Sequence, residues 1–166
     1  ILMEPVDLYS SGGISDASEL MWTVTFGSYE GRVWLNGILI DRALEADVDT
    51  NITCDNGIAA AEEIAYAKSM GMTVVVTDHH EVPYTEIGGE RRYILPEADA
   101  VVDPKQEDVL IRSKGCAGAA VAYKLVGGSD GSYGEKDAED ADYLMENVAI
   151  ATIGDVMDLV DENRIF

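Results

Sequence analysis

An α/β fold built on a mostly parallel sheet flanked by helices is the class this sequence predicts. Three observations carry it. Val48 to Cys54 and Met72 to Thr77 are short runs rich in β-branched and apolar residues, and an alanine-rich stretch from Ile58 to Met70 lies between them. Strand, helix and strand within about thirty residues make one βαβ unit, whose strands run parallel because the connection crosses over. A third short run, Ala98 to Asp103, repeats the strand signal. Together these give a Rossmann-like sheet, in which ligands gather at the carboxyl edge of the strands.

In chain order, Glu4-Pro5 interrupts a first strand, because proline removes a ladder donor. Ser10-Ser11-Gly12-Gly13 is a tight loop, and Ile14 to Phe26 reads as the helix after it. Trp34 to Ile40 is apolar and fits strand or helix alike. Val48 to Cys54 ends in Asp55-Asn56-Gly57, a sequence that elsewhere favours a hairpin. Here Ile58, Ala61, Ile64 and Ala65 recur at helical spacing, which predicts a helix over Ile58 to Met70 capped by Asp55 or Asn56. Gly71 ends it.

After the strand Met72 to Thr77, the segment Glu81 to Leu95 holds Pro83, Gly88-Gly89 and Arg91-Arg92, and reads as a loop or small excursion. Pro96 starts a turn, and Ala98 to Asp103 is a short buried strand. Cys116 to Val126 is a closely packed helix of small apolar residues. Gly127 to Gly134 is a flexible turn, and an acidic helix from about Ala138 runs into Val148 to Ile153. Asp161-Glu162-Asn163 is a turn or the start of another helix. With no internal repeat and no linker, residues 1–166 read as one domain.

The bulk numbers restrict function. Thirty-two acids against eleven bases give a net charge of −21, which opposes nucleic acid and anionic membrane alike. Lys105, Arg112, Lys114 and Lys124 fall in one stretch, so a phosphate-facing patch belongs there, with Lys105 and Lys114 the substrate-contact candidates. Residues 130 to 146 carry seven acids and one lysine and read as a solvated face. No stretch has the apolar length of a membrane span, and the start has no signal-peptide pattern, so a cytoplasmic protein is expected. Cys54 and Cys116 are expected to be buried, reduced thiols. Neither Trp22 nor Trp34 sits among basic residues, and both read as core or partner contacts.

The chemistry concentrates at Val74-Val75-Val76-Thr77-Asp78-His79-His80, which holds both histidines of the chain. A buried strand ending this way delivers a carboxylate and two imidazoles to the sheet edge. Solvated loop histidines are the alternative. Imidazole with carboxylate is a donor set for Mn, Zn or Fe rather than for Ca or Mg alone. Asp55 ends the preceding strand, and parallel neighbours lie about 4.8 Å apart, so the two strand ends can converge on one ion. Asp155, following another apolar run, is a third carboxylate. Each aspartate alone also suits a cap or turn; as a set they suit a hydrolytic metal site.

These residues resemble a known family. Ile52-Thr53-Cys54-Asp55-Asn56-Gly57-Ile58-Ala59 and Val76-Thr77-Asp78-His79-His80-Glu81 are similar to the DHH phosphoesterase superfamily. Leu95 to Lys105, Gly118 to Leu125 and Ala151 to Leu159 resemble its RecJ-like, single-strand-specific exonuclease branch. The resemblance runs from about residue 47 to 165 and implies a metal-dependent phosphodiesterase, a 5'-to-3' exonuclease on single-stranded DNA in recombination and repair. It implies Mn²⁺ or Mg²⁺, with Asp55 between two ions and His79 and Asp155 completing one site. His80 would face the scissile phosphate and Asp78 would orient the neighbouring imidazole, as carboxylates commonly do beside metal-bound histidine. Asn56-Gly57 would set the turn that presents Asp55.

The first family motif, Asp-x-Asp-Gly, is not kept. In register with Tyr9 and Gly13-Ile14-Ser15, its aspartates are replaced by Ser10 and Gly12, and Val6 stands where a histidine or tyrosine is frequent. The second ion would then keep only Asp55, unless Glu4, Asp7 or Asp16 substituted. Relatives in this branch also carry a further domain that grips nucleic acid, and the expectation is a catalytic domain without it, touching single-stranded DNA weakly. Repair or replication proteins are the implied partners. Two other readings stand beside the nuclease: a scaffold on a fold whose metal site has decayed, and a phosphodiesterase for small substrates such as cyclic dinucleotides.

Overall fold

Val74 and Val76 are fully buried, and the fold is organised around them. In the computed structural model they belong to the middle strand of a three-stranded parallel sheet. The structure describes residues 35–107, 109, 114–127 and 144–166. The readings of Ser10 and Gly12, the helix Ile14 to Phe26, Trp22, Trp34, Arg112 and the acidic stretch before 144 lie outside the described residues.

The elements are helix α1 (Gly37–Glu45), strand β1 (Thr50–Cys54), helix α2 (Ala61–Ser69), strand β2 (Thr73–Thr77), the pair β3 (Tyr84–Ile87) and β4 (Glu90–Tyr93), strand β5 (Ala100–Val102), and helices α3 (Gly118–Gly127) and α4 (Met145–Gly154). A 3₁₀ turn covers Asp161–Arg164. The sheet order is β1-β2-β5. Thr50 pairs with Thr73 and Cys54 with Thr77, while Val75 pairs with Ala100 and Thr77 with Val102. The α/β class with parallel strands is therefore what the sequence predicts.

The ambiguous run Trp34 to Ile40 is helical over its described residues 37–40, the start of α1, with the Asn36 side chain accepting from Leu39 N–H at 3.1 Å. Ile40 and Ala43 of α1 meet Ile64 and Ala67 of α2, Met72, and Val74 and Val76 of β2 in one apolar cluster. Each fully buried Ile or Val there contributes roughly 1.5–3 kcal/mol relative to exposure. The opposite face of β1 stays open: Thr50, Ile52 and Cys54 are all exposed. The expectation of two buried thiols is thus corrected at Cys54, which is exposed on that face of β1, an end strand of the described sheet. Cys116 is buried, in a second cluster with Ala120, Val121 and Val148.

Three further expectations change. The second helix starts at Ala61 and has no side-chain cap, because the Asn56 side chain donates to Cys54 O and the Asp55 carboxylate faces His79. Ala98 to Asp103 narrows to β5 with Ala100 and Val102 exposed, since it too ends the described sheet. The segment Glu81 to Leu95 contains an antiparallel hairpin turned by Gly88 and Gly89, both at positive φ, 66° and 87°. Its strands are exposed on both faces, so no apolar alternation marks them in the sequence. Gly71 ends α2 at φ 88° as expected.

Candidate metal centre

Register builds this site. Cys54, Thr77 and Val102 are paired neighbours across β1, β2 and β5. The next residue in each strand is an aspartate: Asp55, Asp78 and Asp103. Backbone bonds extend the ladder to them, Asp55 N–H to Thr77 O and Asp78 N–H to Val102 O, both at 3.0 Å. Three carboxylates therefore stand side by side at the carboxyl edge. Asp103, read in the sequence only as a strand end, has no individual signal there.

Each carboxylate has its own environment. Asp55 adopts φ 61°, and Gly57 follows at φ 109°. A Cβ on Gly57 would lie 2.7 Å from Thr53 Oγ1, so this turn requires glycine for both space and conformation. Thr53 Oγ1 in turn donates to Asn56 O at 2.7 Å, tightening the bend that presents Asp55. Asp78 is nearly inaccessible and fully occupied. It accepts from Ile58 N–H (2.9 Å), His79 N–H (2.8 Å), His80 N–H (3.3 Å) and the His80 ring at Nδ1 (2.6 Å). Burial pushes its carboxyl up, but the Ile58 N–H, the His80 ring and the two further N–H groups outweigh that and hold it below the usual range.

His79 is the hub. Its Nδ1 lies 3.0 Å from Cys116 O and its Nε2 lies 2.9 Å from Asp55 Oδ1. Asp155 Oδ2, from the C-terminal end of α4, stands 3.9 Å from the same Nε2. The hydrogen bond to Asp55 raises the imidazole pKa above its ordinary value; burial opposes this, and the charges of Asp55 and Asp155 add to it. Asp55, His79 and His80 each offer a donor atom, all within 4.8 Å of one another. Because His80 Nδ1 is taken by Asp78, its Nε2 is the donor left to face outward. The structure thus brings together Asp55, His79 and His80 most tightly, with Asp155 beside them. Backbone carbonyls such as Cys116 O, which orients the ring, leave no trace in a sequence.

Lys105 and Lys114 have other contacts: Lys105 Nζ meets Glu81 Oε1 at 2.9 Å, and Lys114 Nζ donates to Gln106 O at 3.2 Å. Lys124 pairs with Glu162. The described members of the basic stretch are therefore partnered within the fold.

Asp103 Oδ1 accepts from Lys105 N–H at 2.7 Å, while Oδ2 is buried with no partner. Burial raises its carboxyl pKa; the Lys105 N–H opposes this and Asp78 adds to it. A group raised on folding stabilises below its unfolded pKa and loses that contribution as pH rises through the folded value. Asp103→Asn is expected to stabilise the fold at neutral pH by about 1 kcal/mol, because it removes a buried carboxylate charge with one oxygen left unpartnered. The gain should vanish at acid pH, and paired thermal melts at the two pH values check this.

Comparison with known proteins gives the family. The family model described as the DHH family, N-terminal domain, matches residues 10–152. The chain belongs to the DHH family. Within it the domain is RecJ-like. It is 41% identical over 114 residues to the single-stranded-DNA-specific exonuclease RecJ of Bacillus subtilis, covering 69% of this chain and 12% of that protein. To the protein of the same name from Haemophilus influenzae it is 34% identical over 131 residues, covering 75% of this chain and 21% of the relative. A crystal structure of exonuclease RecJ bound to manganese superposes with a TM-score of 0.55 at 27% identity, covering 80% of this chain and 30% of that one. This DHH domain thus spans less than a quarter of the length of those two RecJ relatives. Asp155 lies just past the residues matched by the family model.

Proposed function

We propose that this chain is a metal-dependent phosphodiesterase domain of the RecJ kind, acting on single-stranded DNA from the 5' end in recombination and repair. The observation that carries the reading is His79: Nδ1 faces a backbone carbonyl and Nε2 faces Asp55 at 2.9 Å. Nδ1 held by the carbonyl leaves Nε2 as the titrating nitrogen, and once its proton is lost its lone pair and the Asp55 carboxylate can take up a cation where that proton was shared. The donor set suits Mn²⁺, with Mg²⁺ served by the carboxylates.

In this reading Asp55, His79 and Asp155 hold the ion, and a divalent ion there would supply Lewis-acid stabilisation to a phosphodiester and its attacking water. Asp78 holds His80 by the 2.6 Å bond, so that the exposed Nε2 of His80 meets a phosphoryl oxygen. Lys105 and Lys114 would contact the substrate backbone only on leaving their present partners. The proposal includes a cytoplasmic setting; among the described residues no helix is long and apolar enough to cross a membrane.

The test is a Mn²⁺ titration by calorimetry, followed by product analysis on a 5'-labelled single strand. Saturable binding and mononucleotide release are expected. A chain that binds no divalent ion would reduce the domain to a binding module on a DHH fold. The −21 charge favours a second substrate class, a small phosphodiester such as a dinucleotide, because few counterions are released from so acidic a surface. Relative rates on a dinucleotide and on a longer single strand decide between the two.

A further inference from the structure

Behind the cluster two loops meet on one amide. Asn163, only 4% exposed within the 3₁₀ turn, donates from Nδ2 to Gly115 O at 2.7 Å and to Asp158 O at 2.9 Å. Gly115 adjoins Cys116, whose carbonyl faces Nδ1 of His79 at 3.0 Å. Asp158 lies three residues beyond Asp155, the carboxylate 3.9 Å from Nε2 of the same ring. One side chain therefore ties the loop that orients the imidazole to the loop that brings Asp155 up to it.

The chemistry of the link is specific. Bridging two carbonyl oxygens takes a group with two donor hydrogens, which a primary amide has and a carboxylate or hydroxyl does not. Asn163 Oδ1 is meanwhile buried without a partner. Packing alone gives no reason to keep an unpaired buried oxygen; a required NH₂ does. The turn has separate anchors in the Lys124–Glu162 pair and in Phe166, which meets the Tyr123 ring edge-on at 6.1 Å. It can persist without the amide.

We propose that Asn163 is a positioning residue for the metal centre, fixing the Cys116 carbonyl and the Asp155 loop so that His79 presents one ring nitrogen to the cation. This rests on the metal-binding reading above. Neither its name nor its spacing marks Asn163 as part of the site, and it touches none of the donor groups directly.

The experiment compares the whole chain with Asn163→Asp, Asn163→Ala and, as a control loosening the same turn, Glu162→Gln. Two quantities are read: Mn²⁺ affinity by calorimetry, and the ¹⁵N signature of the His79 ring nitrogens in metal-free protein under alkaline conditions, where the ring is neutral. Both Asn163 variants are expected to bind Mn²⁺ about 10- to 100-fold more weakly, the usual effect of losing a partner behind a metal ligand. Their His79 ring should shift from one Nδ1-protonated form to a mixture, while Glu162→Gln changes neither reading. Unaltered affinity and tautomer in the Asn163 variants would overturn the proposal, whatever happens to the melting temperature. Failure of both variants to fold would also overturn it, assigning the amide to the fold alone. If the wild type binds no Mn²⁺, the metal reading fails by itself, and the tautomer comparison still decides the positioning role.

Discussion

His79→Ala is expected to weaken Mn²⁺ binding by more than about 100-fold, beyond the 10- to 100-fold attached to losing a group behind a ligand. The ring is the point at which Asp55 and Asp155 converge, at 2.9 and 3.9 Å from one nitrogen. Without it two carboxylates face each other with no neutral donor between them. The same substitution should abolish the metal's effect on stability. Ligand bound only by the folded state raises stability by about 2.7 kcal/mol at a hundredfold excess over Kd, so a wild-type melting temperature that climbs with Mn²⁺ should become flat in the variant.

The pH dependence gives a second signature of His79. Its pKa is raised on folding, first by the hydrogen bond to Asp55. The stabilisation from the charged ring is therefore fully present below the ordinary imidazole pKa and fades as pH rises through the higher folded value. A cation needs the unprotonated nitrogen, so Mn²⁺ affinity should increase over that same interval. Metal-free stability falling while metal affinity rises is the expected pair of slopes. Calorimetry and melts across the interval measure both, and in His79→Ala both should disappear. Parallel slopes, or slopes that survive in the variant, would count against the ring as the titrating donor.

How much of this was legible in the residues depends on what kind of atom carries each role. The parallel order of β1 and β2 follows from two β-branched runs separated by a helix-length segment, and their register then places Asp55 beside Asp78. Side chains that end such runs can be read directly. The Cys116 carbonyl and the Gly115 carbonyl cannot, because every residue has one and only the fold aims it. Asp103 resembled any strand-ending aspartate until its register with Asp78 and its unpaired oxygen were visible. The hairpin was missed for a plainer reason: neither Tyr84–Ile87 nor Glu90–Tyr93 buries a face, so no period-two pattern is imposed. The Asp55 and Asn56 cap does not form because Asn56 Nδ2 donates to Cys54 O within the turn and the Asp55 carboxylate faces His79.

Gly118→Ala is expected to disable the centre without touching a ligand. A Cβ built on Gly118 would lie 2.7 Å from both Cβ and Cγ of Asp55, closer than real Cβ contacts come. No backbone strain complicates the substitution, since Gly118 is the first residue of α3 and its φ is not in the left-handed region. In a helix alanine is otherwise the better residue by up to about 1 kcal/mol. The clash must then be relieved by the neighbour that is free to move. Rotating the Asp55 side chain cannot relieve a contact with its own Cβ, so the turn that carries this 48% exposed side chain must draw away from α3, whereas His79, with its side chain 9% exposed, is held by the Cys116 carbonyl. That local shift of the turn breaks the 2.9 Å approach to Nε2, so the fold should survive while Mn²⁺ affinity drops by at least about tenfold. Gly37→Ala, also at a helix start but with nothing within 4 Å of the added carbon, is the matched control and should leave metal binding unchanged. Calorimetry on the two variants, with melting temperatures alongside, separates displacement of Asp55 from a general loss of helix packing: equal metal affinity in both would mean that Asp55 is not held where the cation needs it.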